Sequence, residues 1–524
     1  MSTSAHSNGF VAVLRVQLRT GWLSATVWTL AVAGAYVATA SAVNGLFGEP
    51  DELAAYDATV SENPAMAAIN GTPYGADTLG GVVSNEFGFI SAIAIPLMGL
   101  MLITRQTRAQ EEKGMLELLR SRSVGVRVPW LAALLSTTVA LILVGTTMAI
   151  TLVAYGEDAV AALTYGASMA ALGLVFAGVA VLAGQLFRRA AGVTTIGLLI
   201  LGFSYLARAF GDVRDNGWKW LSPLAWQQET RPFTDDLRLW PLLLSLGVAV
   251  ALVSAGIVLV SHRDLGSALF ASRPGPSRAS GLLRTTLGTA ARVSAPSATG
   301  WVAGVFVVAF VFASFTDDVS EILSSNPELE VIGLDPANVN DTFIGFTLFI
   351  FTLMIAAMIG QSLSRVRAEE ADGFLEPVLA RSISRAGWAG ANFLVAALAA
   401  ILALTAGGVG LQLAAGHIVD GIPEAVVSYV PAVLAIVGVT VALFGAVPRG
   451  TWVIWLVVGY MAVVGFLGET LEIPDWAMQL SPLHAAEDAL TAGVPVETQW
   501  ALIGITAALT ALGMVALRWR DIPR

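Results

Sequence analysis

The sequence contains no cysteine, only two lysines (Lys113 and Lys219) and four scattered histidines. Without cysteine there can be no disulfide, thiol nucleophile or cysteine-ligated metal. The histidines (His6, His262, His417 and His484) form neither an HExxH nor an HxxxH pair, so no metal site is expected. The two lysines also exclude a phosphate-binding P-loop, which needs Gly-Lys-Ser/Thr; Lys113 follows Glu112 and Lys219 follows Trp218. No ATPase site of that kind, and no resident cofactor, is expected in the chain. Charge is scarce as well. Asp, Glu, Lys and Arg make up 13% of the 524 residues, about half the roughly 25% usual in soluble domains.

What fills the chain is apolar surface: 56% of residues are hydrophobic and the mean hydropathy is +0.73. A span needs about 20 apolar residues to cross the hydrocarbon. Runs of that kind lie near 22–43, 85–104, 129–155, 160–187, 191–210 and 240–261, and again near 300–316, 342–364, 389–416, 425–446, 451–468 and 499–517. The pattern predicts an all-α membrane protein of about twelve spans. It divides into a six-span half at 1–261, a polar linker at 262–299 and a second six-span half at 300–524. Phe10–Arg19 and Leu282–Arg292 are amphipathic and read as surface helices or as plain tail and linker.

Arg and Lys in short loops set orientation. With both termini in the cytoplasm, inner segments hold 23 of the 28 basic residues and outer loops 29 of the 38 acidic ones. The five outer basic residues, Arg208, Arg214, Lys219, Arg231 and Arg238, sit in or next to one loop. The polar stretch Ser2–Asn8 lacks the basic start of a cleavable signal peptide. The expected location is a bacterial plasma membrane. The acidic loop from Asn44 to Gly80 has no evident role.

A shift of 259 residues aligns two inner segments without a gap. Eight of the sixteen positions from 108 to 123 are identical in 367–382, where chance gives about one or two. The same shift places Leu221-Ser222-Pro223-Leu224 on Leu480-Ser481-Pro482-Leu483. Two halves of six spans each have the same orientation, as in transporters built from parallel repeats. The segments fall between the second and third spans of each half. A loop that only sets topology explains their arginines but not the recurring Gly, Glu and Leu. Met115, Leu116, Leu118 and Leu119 supply an apolar side, and a charged side opposes it, which favours docking of a cytoplasmic partner.

The pattern Glu-Glu-x-x-Gly-x-Leu-Glu, followed by Ser/Ala-Arg-Ser, resembles the coupling segment of ABC-2 type permeases, the membrane subunits of type V-like ABC exporters. Glu111, Glu112, Gly114, Leu116, Glu117 and Arg122 carry it in the first half; Glu370, Gly373, Leu375, Glu376, Arg381 and Arg385 carry it in the second. The first copy departs at its close, with Gly125-Val126 in place of Ser-Arg. The fused twelve-span layout is similar to actinobacterial exporters of polyketide antibiotics, the tetronasin type. The resemblance implies two copies of a separate ATP-binding subunit holding ATP and Mg, and export of a small hydrophobic substrate; nucleic acid is not an expected partner.

Deep charges are scarce in the spans, which argues against an ion relay. Aromatic and Met residues offer a lining for an apolar molecule: Phe87, Phe89, Met98, Phe203 and Tyr205, and in the second half Phe346, Phe349, Met354, Trp452 and Tyr460. The outer loops Gly211–Leu239 and Glu469–Trp500 carry Trp and Pro suited to interfacial helices. The rival reading is an ion-coupled secondary transporter, which shares the layout of two parallel six-span halves. A membrane-embedded enzyme would need clustered carboxylates or histidines, which the sequence does not offer.

Overall fold

The computed structural model describes residues 3–47, 50–61, 64–116, 124–262, 278, 280–314, 316, 339–371, 373, 375–376, 383–467, 473–491 and 493–520. Among these no strand occurs, as expected where the solvent cannot satisfy backbone groups and a helix satisfies its own. The long helices are α1 (Thr3–Leu46), α2 (Gly88–Gln106), α3 (Val128–Ala154), α4 (Ala159–Leu186), α5 (Ala190–Val213) and α6 (Trp240–Val260). They continue as α7 (Thr286–Ala313), α8 (Val339–Ala371), α9 (Arg385–Ala415), α10 (Ile422–Ala446), α11 (Val453–Leu467) and α12 (Val496–Trp519). Among the described residues eleven of these are long and apolar enough to cross a membrane; α11, with 15 residues, is shorter than a full span.

Contacts divide the chain into two compact units, Met1–Pro274 and Gly275–Arg524. Residues 286–299, expected in the linker, instead open α7. Thr285 caps this helix by accepting from the Gly288 amide at 3.0 Å, and the helix then runs into the seventh apolar run with Pro296 inside it. Phe10–Arg19 likewise continues into the first span, because nothing between Thr3 and Leu46 breaks the helix. At 1.5 Å per residue that helix is about 66 Å long, against about 30 Å of hydrocarbon.

In the first unit α4 is the centre, packing against α2, α3 and α6, while α1 packs on α3. In the second, α10 packs on α12 and α7 on α9. Small residues let these backbones approach, as expected where lipid gives helices no hydrophobic reason to associate. A Cβ on Gly145 of α3 would lie 2.2 Å from the Gly166 carbonyl oxygen of α4, and one on Gly445 of α10 would lie 2.0 Å from that of Gly513 in α12.

The acidic stretch from Asn44 to Gly80 turns out to cap its unit. It holds helices Pro50–Val60 and Pro64–Asn70 and leads into Leu79–Glu86. Arg208, which the sequence placed in or next to a loop, lies inside α5 and is 1% exposed. Its Nη2 donates to the carbonyls of Ala68 and Ile69, both at 2.8 Å. Tyr205 donates to the Ile69 carbonyl at 2.7 Å, and Gln228 to that of Asn70 at 2.8 Å. A carboxylate pins the rim of this cap. Glu229, its side chain 2% exposed, faces Lys219 and Arg231 at 2.9 Å each and Arg238 at 3.4 Å. Tyr74 donates to it at 2.8 Å. The recurring Leu-Ser-Pro-Leu performs one task twice: buried Ser222 accepts from the Leu224 amide at 3.2 Å, and buried Ser481 from the His484 amide at 3.4 Å.

Two outcomes follow from this packing. Gly513→Val must push α12 off α10, and overpacking of this kind costs about 1–3 kcal/mol; thermal unfolding in detergent should show the loss, and an unchanged midpoint would mean that these helices do not pack here. Glu229 gives the second. Burial opposes its ionisation, but hydrogen bonds from Lys219 and Tyr74 and the charges of Lys219 and Arg231 outweigh burial and hold its pKa below the usual carboxylate value. A depressed carboxylate stabilises the fold above its unfolded pKa of about 4.3 and loses that contribution as pH falls through the folded value. The melting midpoint of wild type should therefore drop on acidification below about pH 4 more steeply than that of Glu229→Gln.

Candidate functional site: the two repeated segments

In the first unit α2 ends at Gln106 and a short helix, Arg108–Glu112, follows it. Within that turn Arg108 and Glu111 are three residues apart, hence on one face, and pair at 2.7 Å with side chains 1% and 2% exposed. The Nε of Arg108 donates to the Arg188 carbonyl at 2.9 Å, just beyond the end of α4. Glu112 points the other way and accepts from the Ala190 amide, which opens α5, at 3.0 Å. A carboxylate at a helix N-terminus meets unsatisfied amides and the positive end of the dipole. Gly114 then turns the chain with φ +73, the left-handed conformation that glycine adopts without strain. Leu116 is buried beyond it, while Met115 is 47% exposed.

The second unit repeats this geometry at the 259-residue shift. Arg367 and Glu370 pair at 2.7 Å on the last turns of α8, Gly373 turns the chain with φ +78 and Leu375 is buried at 4% exposure. The surroundings differ. Glu370 also pairs with Arg520, beyond the end of α12. Arg520 donates to the Phe444 carbonyl at 2.6 Å and lies over the Phe444 ring, 5.1 Å from its centre. Arg385, at the start of α9, donates to the Arg520 carbonyl at 2.7 Å. Glu376 is exposed. Glu117, Arg122 and Arg381 lie outside the described residues.

The charged side expected of these segments is thus divided. Glu111 and Glu370 turn inward and anchor each segment to its own unit. Glu112, Lys113, Met115 and Glu376 are exposed. Sequence reasoning missed Arg108, Arg367 and Arg520 as members. The first two were legible as identical residues three positions before the paired glutamates, whereas no local pattern points to Arg520, 150 residues from Glu370.

The ten aromatic and Met residues read as a lining have differing surroundings within their own units. Phe87, Met98 and Phe349 are core residues, and Met354 packs against that core. Phe87 meets Tyr36 edge-on at 5.2 Å and Phe89 meets Tyr205 at 6.2 Å. Phe203, Phe346 and Trp452 are exposed, and the Tyr460 hydroxyl donates to the Ala477 carbonyl. None lines the polar cavity under the cap of the first unit, where Asn70, Asn85, Tyr165, Arg208 and Gln227 meet. That cavity measures about 30 Å³, room for one or two waters and far short of the roughly 300 Å³ of a drug-sized site.

The left-handed glycines yield a direct check. A Cβ at Gly373 would touch nothing within 4 Å, so any cost of substitution comes from backbone conformation alone. Gly373→Asn, which tolerates that conformation, should melt within a degree or two of wild type, and Gly373→Val should lose about 1–2 kcal/mol; equal behaviour of the two would contradict the positive φ.

Residues 283–518 match the family model described as the C-terminal domain of the multidrug efflux system permease Rv1217c. Across 531 aligned positions, covering 98% of this chain and 95% of the relative, the sequence is 31% identical to the multidrug efflux system permease protein Rv1217c of Mycobacterium tuberculosis (strain ATCC 25618 / H37Rv). With helices of spanning length throughout and similarity running from end to end, the chain belongs to the family of multidrug efflux permeases that Rv1217c represents.

Proposed function

We infer that this permease is the membrane-spanning subunit of an ATP-driven exporter. It would move a hydrophobic or amphipathic small molecule, drug-like or polyketide-like, out of the cell, while a separate cytoplasmic subunit binds ATP and Mg and hydrolyses the nucleotide. The observation that carries this reading is the repeated segment. At a shift of 259 residues the same i,i+3 ion pair, the same left-handed glycine and the same buried leucine return, although a loop that merely orients the chain needs only its arginines. Segments anchored on one side and exposed on the other suit two copies of a docking partner. In this reading the halves are parallel six-helix repeats of ABC-2, type V-like design, with both termini in the cytoplasm. The outward set of Glu112, Lys113, Met115 and Glu376 is where the ATP-binding subunits sit, and closure of that pair drives the segments. The name of the relative supports drug export.

Everted membrane vesicles from cells carrying the chain and its ATP-binding subunit test this with ethidium as the probe. Accumulation should require hydrolysable ATP and survive a protonophore. Accumulation that ignores ATP and collapses with the proton gradient would instead establish the ion-coupled secondary transporter. Met115→Asp, at an exposed apolar position of the docking face, should cut ATP-driven accumulation at least about fivefold with an unchanged melting midpoint.

A further inference from the structure

The two repeated segments are identical at half their positions yet are wired into their units differently. In the first unit the buried carboxylate Glu111 is met within its own segment by Arg108, and the cation's remaining reach goes to the Arg188 carbonyl after α4. The end of α6 is held separately: Ser261 accepts from Arg127 at 3.0 and 2.8 Å, at the start of α3. In the second unit the position matching Ser261 at the 259-residue shift is Arg520. It ties the second segment directly to the end of α12. One guanidinium binds Glu370 of the segment and the Phe444 carbonyl of α10, while its own backbone carbonyl receives Arg385 of α9. A planar fork with five donors can hold two acceptors in fixed directions, and a lysine ammonium cannot hold them so rigidly.

We propose that Arg520 is a positioning residue that makes the second segment the one through which force reaches the last span. Displacement of Glu370 drags Arg520, and Arg520 is the residue next to Trp519, the final residue of α12. In the first unit the matching position is Ser261, whose short hydroxyl binds Arg127 at the start of α3 and cannot supply the two-acceptor fork of a guanidinium. The two docking sites of the permease are therefore unequal in effect even if identical ATP-binding subunits occupy them. This rests on the ATP-driven reading, because force enters at the segments only if a partner pushes there. Packed interfaces of this kind move between discrete arrangements rather than deforming smoothly, so a single stiff tie decides which helix takes part.

The test compares ethidium transport in everted vesicles with the folded amount and melting midpoint of each variant. Arg520→Gln should lower transport about tenfold, the size of an ordinary coupling free energy, while folded protein persists. Ser261→Ala, the matching position in the first unit, should stay within about twofold, inside the ordinary scatter of surface substitutions. Glu370→Gln should lower transport as Arg520→Gln does, and the double variant should lose little more than either alone, because both changes break the same tie. Equal losses in Arg520→Gln and Ser261→Ala would overturn the asymmetry. Fully additive losses in Glu370→Gln and Arg520→Gln, in protein that melts normally, would overturn the tie itself. Wild-type transport driven by the proton gradient alone would remove the partner's push and sink both this inference and the ATP-driven reading, an outcome read on wild type and so distinct from failure of the variants.

Discussion

A carboxylate withdrawn from water must be met by cations or several donors, and three such groups organise the described part of this chain. Glu111, Glu370 and Glu229 each have side chains 2% exposed, and each is met by arginine. Leaving any of them without its partner would cost several kcal/mol, so the surrounding helices are held in the one arrangement that supplies it. Glu111 and Glu370 fix where the chain leaves the second and eighth helices. Glu229 fixes the rim of the cap over the first unit. The apolar packing between these points is extensive but unspecific in direction, since lipid competes for the same surfaces. The charged ties and the glycine contacts supply the register.

This division shapes where each unit can move. Where Gly145 meets Gly166 and Gly445 meets Gly513, backbones touch and the helices behave as pairs. The cap of the first unit receives single hydrogen bonds on its backbone carbonyls from Arg208, Tyr205 and Gln228. Each of these is individually worth only about 1–3 kcal/mol. The cap also buries Tyr56, Val60 and Ala76 in the core of its unit and meets the Glu229 cluster through Tyr74, while the segments at the opposite helix ends are held by ion pairs.

The spans were legible because apolar runs of spanning length have no other use in a chain this poor in charge. The segments were legible because a gapless shift exposed them. The cap was not: the 44–80 stretch is acidic and carries no periodic apolar face, and its order comes from Arg208, some 140 residues away. Arg208 falls within the apolar run at 191–210 and was grouped with the neighbouring loop by its charge alone, although a helix holds it when carbonyls and Asp212 are at hand. Nor could the pattern tell Glu111 from Glu112. Adjacent helical residues point about 100° apart, and only the packed structure decides which one turns inward. Of the two amphipathic stretches, Phe10–Arg19 runs in one unbroken helix with the first span, whereas Leu282–Arg284 form a separate turn that ends at the Thr285 cap before α7 begins.

The uninterrupted first helix has a mechanical meaning. A rod of about 66 Å pivoting at its midpoint by ten degrees displaces each end by about 6 Å, more than the width of a side chain. Thr3 and Leu46 are its two tips, so a small tilt within the bilayer becomes a lateral stroke at both membrane faces at once, in opposite directions. Because α1 is one unbroken helix packed on α3, such a tilt joins the two faces without any change in its own hydrogen bonds.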